Sequence, residues 1–298
     1  DYHHRLSSWQ QIAHDADVQI QDDIVEELAS KFRFNRRQIM RSIHTASDIA
    51  ASSGQELNRN ALYQGVQAHA SLQLGQLAKR VIPRATWDDL ILPDEQTTQL
   101  REIVSRARYA HILEDWGYKD RYSNMYGVSA LFAGESGTGK TLSAQVVAHE
   151  LGLVMYRIDL SAVVSKYIGE TEKNLARIFT EAHSSNAILF FDEADALFGK
   201  RSEVKDARDR YANIEVAYLL QQIEDYDGVA IMATNLRQNL DDAFTRRLGF
   251  MIDFPFPEPK SREALWLSHF PPNAPLGPDV DISVLADRYH LAGGNIRN

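Results

Sequence analysis

The chain has 298 residues, 44% of them hydrophobic, and a formal net charge of −9. That length supports roughly two domains with a sizeable core, and the acidic balance argues against a nucleic-acid-coating protein. There is no cysteine, which excludes disulfides and Cys-ligated zinc and suits a reducing, cytoplasmic setting, and no apolar run is long enough to cross a membrane. The opening Asp1-Tyr2-His3-His4 has no initiator Met and no signal-peptide pattern, so a fragment of a longer protein is expected.

Residues up to about 80 read as helical, with candidate helices over 22–32, 36–51 and 56–81 and a break at Ser52-Ser53-Gly54. Pro83 cannot continue a helix, so residues 80–87 read as a linker. Pro93 opens a helix that runs through Leu100, Ile103 and Ala107 to about Trp116 at apolar spacing. Strand and helix then alternate. Strand candidates are 129–133, 154–159, 187–191, 229–233 and 251–254, and helices over 142–151, 171–184 and 212–225 fill the intervals. Several of the strands are continuous apolar runs, which predicts an α/β core around a parallel sheet buried on both faces. After Pro255-Phe256-Pro257-Glu258-Pro259 the chain turns helical again over 261–270 and 282–289.

The two helical ends share a pattern. Arg5, Trp9, Asp22, Leu28, Ala29 and Ile39 recur as Arg262, Trp266, Asp279, Leu285, Ala286 and Ile296 at one constant offset (262 − 5 = 257). Two unrelated amphipathic segments could match in this way, but a true repeat makes the N-terminal stretch a copy of the C-terminal one.

The chemistry gathers around Gly134-Glu135-Ser136-Gly137-Thr138-Gly139-Lys140-Thr141, which satisfies G-x-x-x-x-G-K-[ST]. A buried strand precedes it and a helix beginning at Leu142 follows, so backbone N–H groups and the positive end of a helix converge on an oligophosphate. Lys140 can reach the β/γ-phosphates and the Thr141 hydroxyl can ligate Mg²⁺. Asp192-Glu193 ends a later apolar strand. Such a pair often only caps a helix, but downstream of a phosphate loop Asp192 can hold Mg²⁺ and Glu193 can polarise the attacking water. Asn235 ends the next strand, where it can bond the water or the γ-phosphate. Arg246-Arg247 either complements a helix dipole or acts on the transferring phosphoryl group of a neighbouring subunit. His149-Glu150-Leu151-Gly152-Leu153 lacks the second His of a zinc-protease motif.

This order of motifs resembles the AAA+ ATPases, nearest the AAA clade proper, from about Trp87 to Asn298. The resemblance implies a P-loop NTPase core with a five-stranded parallel sheet over 81–257 and a truncated helical lid over 258–298. Residues 1–80 would then be the lid of a degenerate upstream module. It makes Gly134 to Thr141 the Walker A loop, Asp192 and Glu193 Walker B, Asn235 sensor 1, and Arg246 and Arg247 arginine fingers. Lys166-Tyr167-Ile168-Gly169 resembles the pore loop with which such hexamers grip polypeptide, although an ordinary loop with a partly buried Tyr fits as well. Leu90 and Ile91 correspond to the linker that passes the adenine. Gly294 and Arg297 fall where a lid contacts nucleotide, but Gly293-Gly294-Asn295 departs from the usual Gly-Ala-acid, which puts Arg297 in doubt as sensor 2. Residues 199–208 fit a second pore loop or a solvated face equally. The implied function is an ATP- and Mg²⁺-dependent motor, a homo-oligomeric ring that remodels protein, without membrane or nucleic acid. The alternative is a nucleotide-switched assembly or DNA-associated factor that threads nothing.

Overall fold

Apolar stripes at helical spacing shape the first four helices, α1 (Tyr2–Asp15), α2 (Asp22–Lys31), α3 (Arg36–Ser52) and α4 (Arg59–His69). Asn35 starts α3 with a capping box: its side chain accepts from Gln38 N at 3.0 Å and its own N–H donates to the Gln38 side chain at 3.0 Å. Ile39, Ile43, Ala46 and Ala50 form the buried face of α3. Gly65 lets α4 cross close to that face, since a Cβ there would lie 2.3 Å from Ser42 O. The computed structural model describes residues 2–69, 77–116, 127–163, 169–195, 207–235, 246–271, 273–277 and 280–297.

Of the helix expected over 56–81, the described residues show Arg59–His69 as helix, while Lys79–Val81 is instead a strand, β1. β1 pairs antiparallel with β3 (Met155–Asp159) at the sheet edge. Two basic residues on so short an edge discourage further strand pairing. A 3₁₀ turn (Trp87–Asp89) and α5 (Asp94–Asp115) follow. The Trp87 indole donates to Glu150 at 3.1 Å, Arg108 pairs with the same carboxylate at 2.9 Å, and the Arg101 guanidinium lies 4.4 Å from the Trp87 ring centre. Glu150 therefore ties linker, α5 and α6 (Lys140–Leu151) together. Arg108, then Trp87, holds its carboxyl below the usual carboxylate range.

The five expected strands are present and parallel: β2 (Val128–Gly134), β3, β4 (Ile188–Asp192), β5 (Val229–Thr234) and β6 (Phe250–Phe254). With β1 the sheet has six strands, in the order β1-β3-β4-β5-β2-β6, not the five expected from sequence. α7 (Leu160–Val163), α8 (Glu170–Ser185) and α9 (Ala207–Asp225) occupy the crossovers. One face of the sheet packs with Leu175, Ile178 and Leu219. The other joins Leu100, Ile103 and Val147 in a core that continues without break into Trp9, Leu28 and Ile43 of the N-terminal helices. Arg33 pairs with Asp227 at 2.6 Å, and Asn186 donates to Lys31 O at 2.5 Å, fastening those helices to the end of the sheet where β2 and β5 begin.

The chain closes with α10 (Pro259–His269), α11 (Ile282–Arg288) and α12 (Gly293–Arg297). Arg262 Nε donates to Ala286 O at 2.7 Å, and Arg5 Nε donates to Ala29 O at 2.9 Å. Both the donors and the acceptors are related by the sequence offset. The indole nitrogens of Trp9 and Trp266, also so related, are both buried without a hydrogen-bond partner among the described residues.

Arg262 is 2% exposed and also donates to Pro257 O at 2.7 Å. Arg262→Met would strand two carbonyls, so it should destabilise the C-terminal helices by about 2–4 kcal/mol. Hydrogen exchange should then quicken over residues 259–297 and stay slow in β2 and β5. Unchanged protection of α10 and α11 would contradict the assignment of that role to Arg262.

Candidate functional site

The phosphate loop leaves the carboxyl end of β2, where a parallel sheet of this kind presents its ligand crevice. Gly134 has φ +154°, and a Cβ on it would lie 2.3 Å from Phe254 O on β6, so no other residue fits. The Thr138 hydroxyl donates to Glu135 O at 2.9 Å and pins the turn. Glu135 and Ser136 are exposed, Gly137, Gly139, Thr141 and Leu142 are half-buried, and Lys140 is buried. The Lys140 ammonium donates to Gly134 O at 2.6 Å, Glu135 O at 2.8 Å and Asn235 Oδ1 at 2.9 Å. Burial pulls its pKa below the usual lysine value, and the nearby Asp192 and Asp195 carboxylates oppose that shift. An ammonium held in this state is stabilised by any anion brought to the loop.

Asp192 ends β4 and lies in the same crevice. Its Oδ1 accepts from Glu193 N at 3.0 Å, and its Oδ2 pairs with Arg157 at 2.7 Å. Glu193 is exposed and has φ +54°, the left-handed region, uncommon for a residue with a side chain. Ala194 N donates to Ala233 O at 3.0 Å and fixes this turn to β5. Asp195 then accepts from the Thr234 hydroxyl and from Asn235 N, the latter at 3.0 Å. Sequence reasoning missed Asp195. The third carboxylate in Asp192-Glu193-Ala194-Asp195 was its visible signal, but its partners lie 39 and 40 positions away. Lys140 and Asn235 are thus brought together beside the Asp192 and Asp195 carboxylates.

The C-terminal helices contact the loop through backbone at Gly294. Gly294 N donates to Gly137 O at 3.0 Å, and a Cβ on Gly294 would lie 3.0 Å from Gly137 Cα. The absence of a side chain at Gly294 is therefore what permits this approach. Arg297 is exposed at the end of α12. In the linker, Leu90 and Ile91 are half-buried, and Leu92 Cδ2 lies 4.0 Å from where a Gly139 Cβ would stand. Arg246 and Arg247 are both exposed, and Arg247 lies 3.7 Å from Glu224 of α9. Lys166, Tyr167 and Ile168, and most of the segment 199–208, lie outside the described residues. Gly169, with φ +80°, precedes α8 as its N-cap.

The model of the ATPase family associated with various cellular activities (AAA) matches residues 130–256, from β2 through β6 to Phe256. Residues 130–256 are an AAA ATPase-family domain. The AAA family implies nucleotide binding, and the mixed α/β sheet has the P-loop architecture of that family. Among similar proteins is an uncharacterized AAA family ATPase, y4kL, of Sinorhizobium fredii, 34% identical over 180 residues, 60% of this chain and 53% of that protein. A 26S proteasome regulatory subunit 6B homolog of Dictyostelium discoideum is 30% identical over 228 residues, 73% of this chain and 54% of that protein. Protein CdcH of Halobacterium salinarum is 32% identical over 222 residues, 72% of this chain and 29% of that protein. The chain spans about half or less of the length of these relatives.

Proposed function

We propose that this chain binds Mg–ATP between the phosphate loop and Asp192-Glu193, and hydrolyses it. One observation carries the reading: a buried lysine ties the proposed phosphate loop to the side chain of Asn235, 95 positions away, beside the Asp192 and Asp195 carboxylates. The donor set fits the metal, since the Asp192 carboxylate and Thr141 hydroxyl are hard oxygens of the kind Mg²⁺ takes together with phosphate and water. When bound, Mg²⁺ neutralises charge on the β- and γ-phosphate oxygens. Lys140 and the loop N–H groups hold the phosphates. Asn235 orients the attacking water, and Glu193 accepts its proton at a carboxylate oxygen.

The domain pattern and the family point to a larger machine. Arg246 and Arg247 are exposed, as arginines serving a neighbouring subunit's site must be, which supports a homo-oligomeric ring, hexameric by family resemblance. The proteasome regulatory subunit homolog among the relatives favours protein over nucleic acid as substrate, gripped by Tyr167 and Ile168, in a cytoplasmic setting. Residues 1–80 are proposed to be the lid of an upstream module, supported by the paired Arg5–Ala29 and Arg262–Ala286 bonds. Arg36 and Arg37 stand there where the C-terminal copy has Gly293 and Gly294, so that copy would not close on a phosphate loop.

Glu193→Gln should keep ATP binding and slow phosphate release by about 10²–10⁴-fold, the usual contribution of a general base. Undiminished release would remove Glu193 from that role. Arg246→Ala should lower turnover by about 10³–10⁵-fold at protein concentrations where wild-type subunits assemble. A wild-type rate per subunit that does not rise with protein concentration would sink the ring.

A further inference from the structure

The carboxylate that the metal would use already has a cation. Arg157 stands on β3 opposite Phe190 of β4, and Asp159 stands opposite Asp192. Arg157 therefore reaches diagonally, along one face of the sheet, to the end of the neighbouring strand. Its guanidinium lies 2.7 Å from Asp192 Oδ2, while Oδ1 is held by Glu193 N. Both oxygens of Asp192 are thus engaged.

We propose that Arg157 is the resident counter-ion of Asp192 and gives up its place when Mg²⁺ loads, so that the site works by cation exchange. The inference rests on the reading that Asp192 holds the metal. Asp192, Glu193 and Asp195 crowd three carboxylates into four positions. Among the described residues, Arg157 and Lys140 are cations that offset Asp192. A divalent cation arriving there meets a like charge 2.7 Å from the oxygen it needs. The arginine can leave cheaply. Its side chain is 48% exposed against 16% for Asp192, so the guanidinium swings into water on its own stem. Arg157 then acts as a positioning residue. It holds the carboxylate toward β3 before loading and sets how much Mg²⁺ is needed to displace it.

The test is calorimetry on the whole chain with the β,γ-imido analogue of ATP, repeated over a series of Mg²⁺ concentrations. The readout is the Mg²⁺ concentration at which analogue affinity is half-way to its maximum. Arg157→Met keeps the apolar stem and removes the charge, and Arg157→Lys keeps a charge. Arg157→Met should lower the half-way concentration about three- to five-fold, the range a half-exposed ion pair can supply. Arg157→Lys should return it most of the way to the wild-type value. A half-way point that is unchanged in Arg157→Met, or raised, would overturn the exchange; a raised value would mean that Arg157 holds Asp192 ready for the metal. Wild-type binding indifferent to Mg²⁺ would instead overturn the assignment of Asp192 as the metal carboxylate, and the exchange with it. Because the position is half exposed, both variants should melt at the wild-type temperature.

Discussion

The three hydrogen bonds of the Lys140 ammonium are the constraint on which the site depends. Two go to carbonyls of the loop that presents the lysine, and the third crosses to Asn235 at the end of β5. A buried ammonium costs far more than a surface one unless it is hydrogen-bonded, and these three acceptors meet that demand. The result is a loop braced by its own lysine and held in register with the end of β5. Asp195 completes the brace by accepting from Asn235 N, and Ala194 N ties the same turn to β5. Preorganised dipoles of this kind need little rearrangement at the moment of reaction.

The fold explains why these groups meet. β4, β5 and β2 are neighbours in one parallel sheet, so Asp192, Thr234 and Gly134 emerge at the same edge. β6 closes over the loop, and only a glycine at position 134 permits that contact. On the opposite edge, the Arg33–Asp227 pair and the Asn186–Lys31 bond join the N-terminal helices to the starts of the strands. Because the apolar core runs without break from those helices into the sheet, the two parts share their stability. The C-terminal helices meet the loop through the bond from Gly294 N to Gly137 O, with the Ala292 and Asn295 side chains close to Gly137.

Much of this was legible in the sequence, and the losses have physical causes. Of the five parallel strands, β2, β4 and β5 were visible as short apolar runs buried on both faces, and β3 and β6 by their mixed apolar and polar residues between helical stretches. The phosphate loop and Asp192-Glu193 were visible because their chemistry depends on local order. β1 was hidden because an edge strand needs only one partner and no apolar face, and the preceding helix masked it. α1 carries a weak apolar stripe that shows its purpose only once Trp9 and Ile12 are seen buried. Asp195 and Leu92 were hidden because their partners are fixed by tertiary packing, which spacing does not reveal. The proposed repeat is the opposite case: a pattern match in sequence is joined by two bonds at the same offset, Arg5 to Ala29 O and Arg262 to Ala286 O.

We propose that Lys140 and its loop hold the phosphates of ATP. Titration of the whole chain with ATP in the presence of Mg²⁺, beside a folded Lys140→Met variant, tests it most directly. The account predicts saturable uptake by the wild type that weakens when Mg²⁺ is chelated and is lost in the variant. Equal uptake by both proteins, or none by a folded wild type, would contradict it.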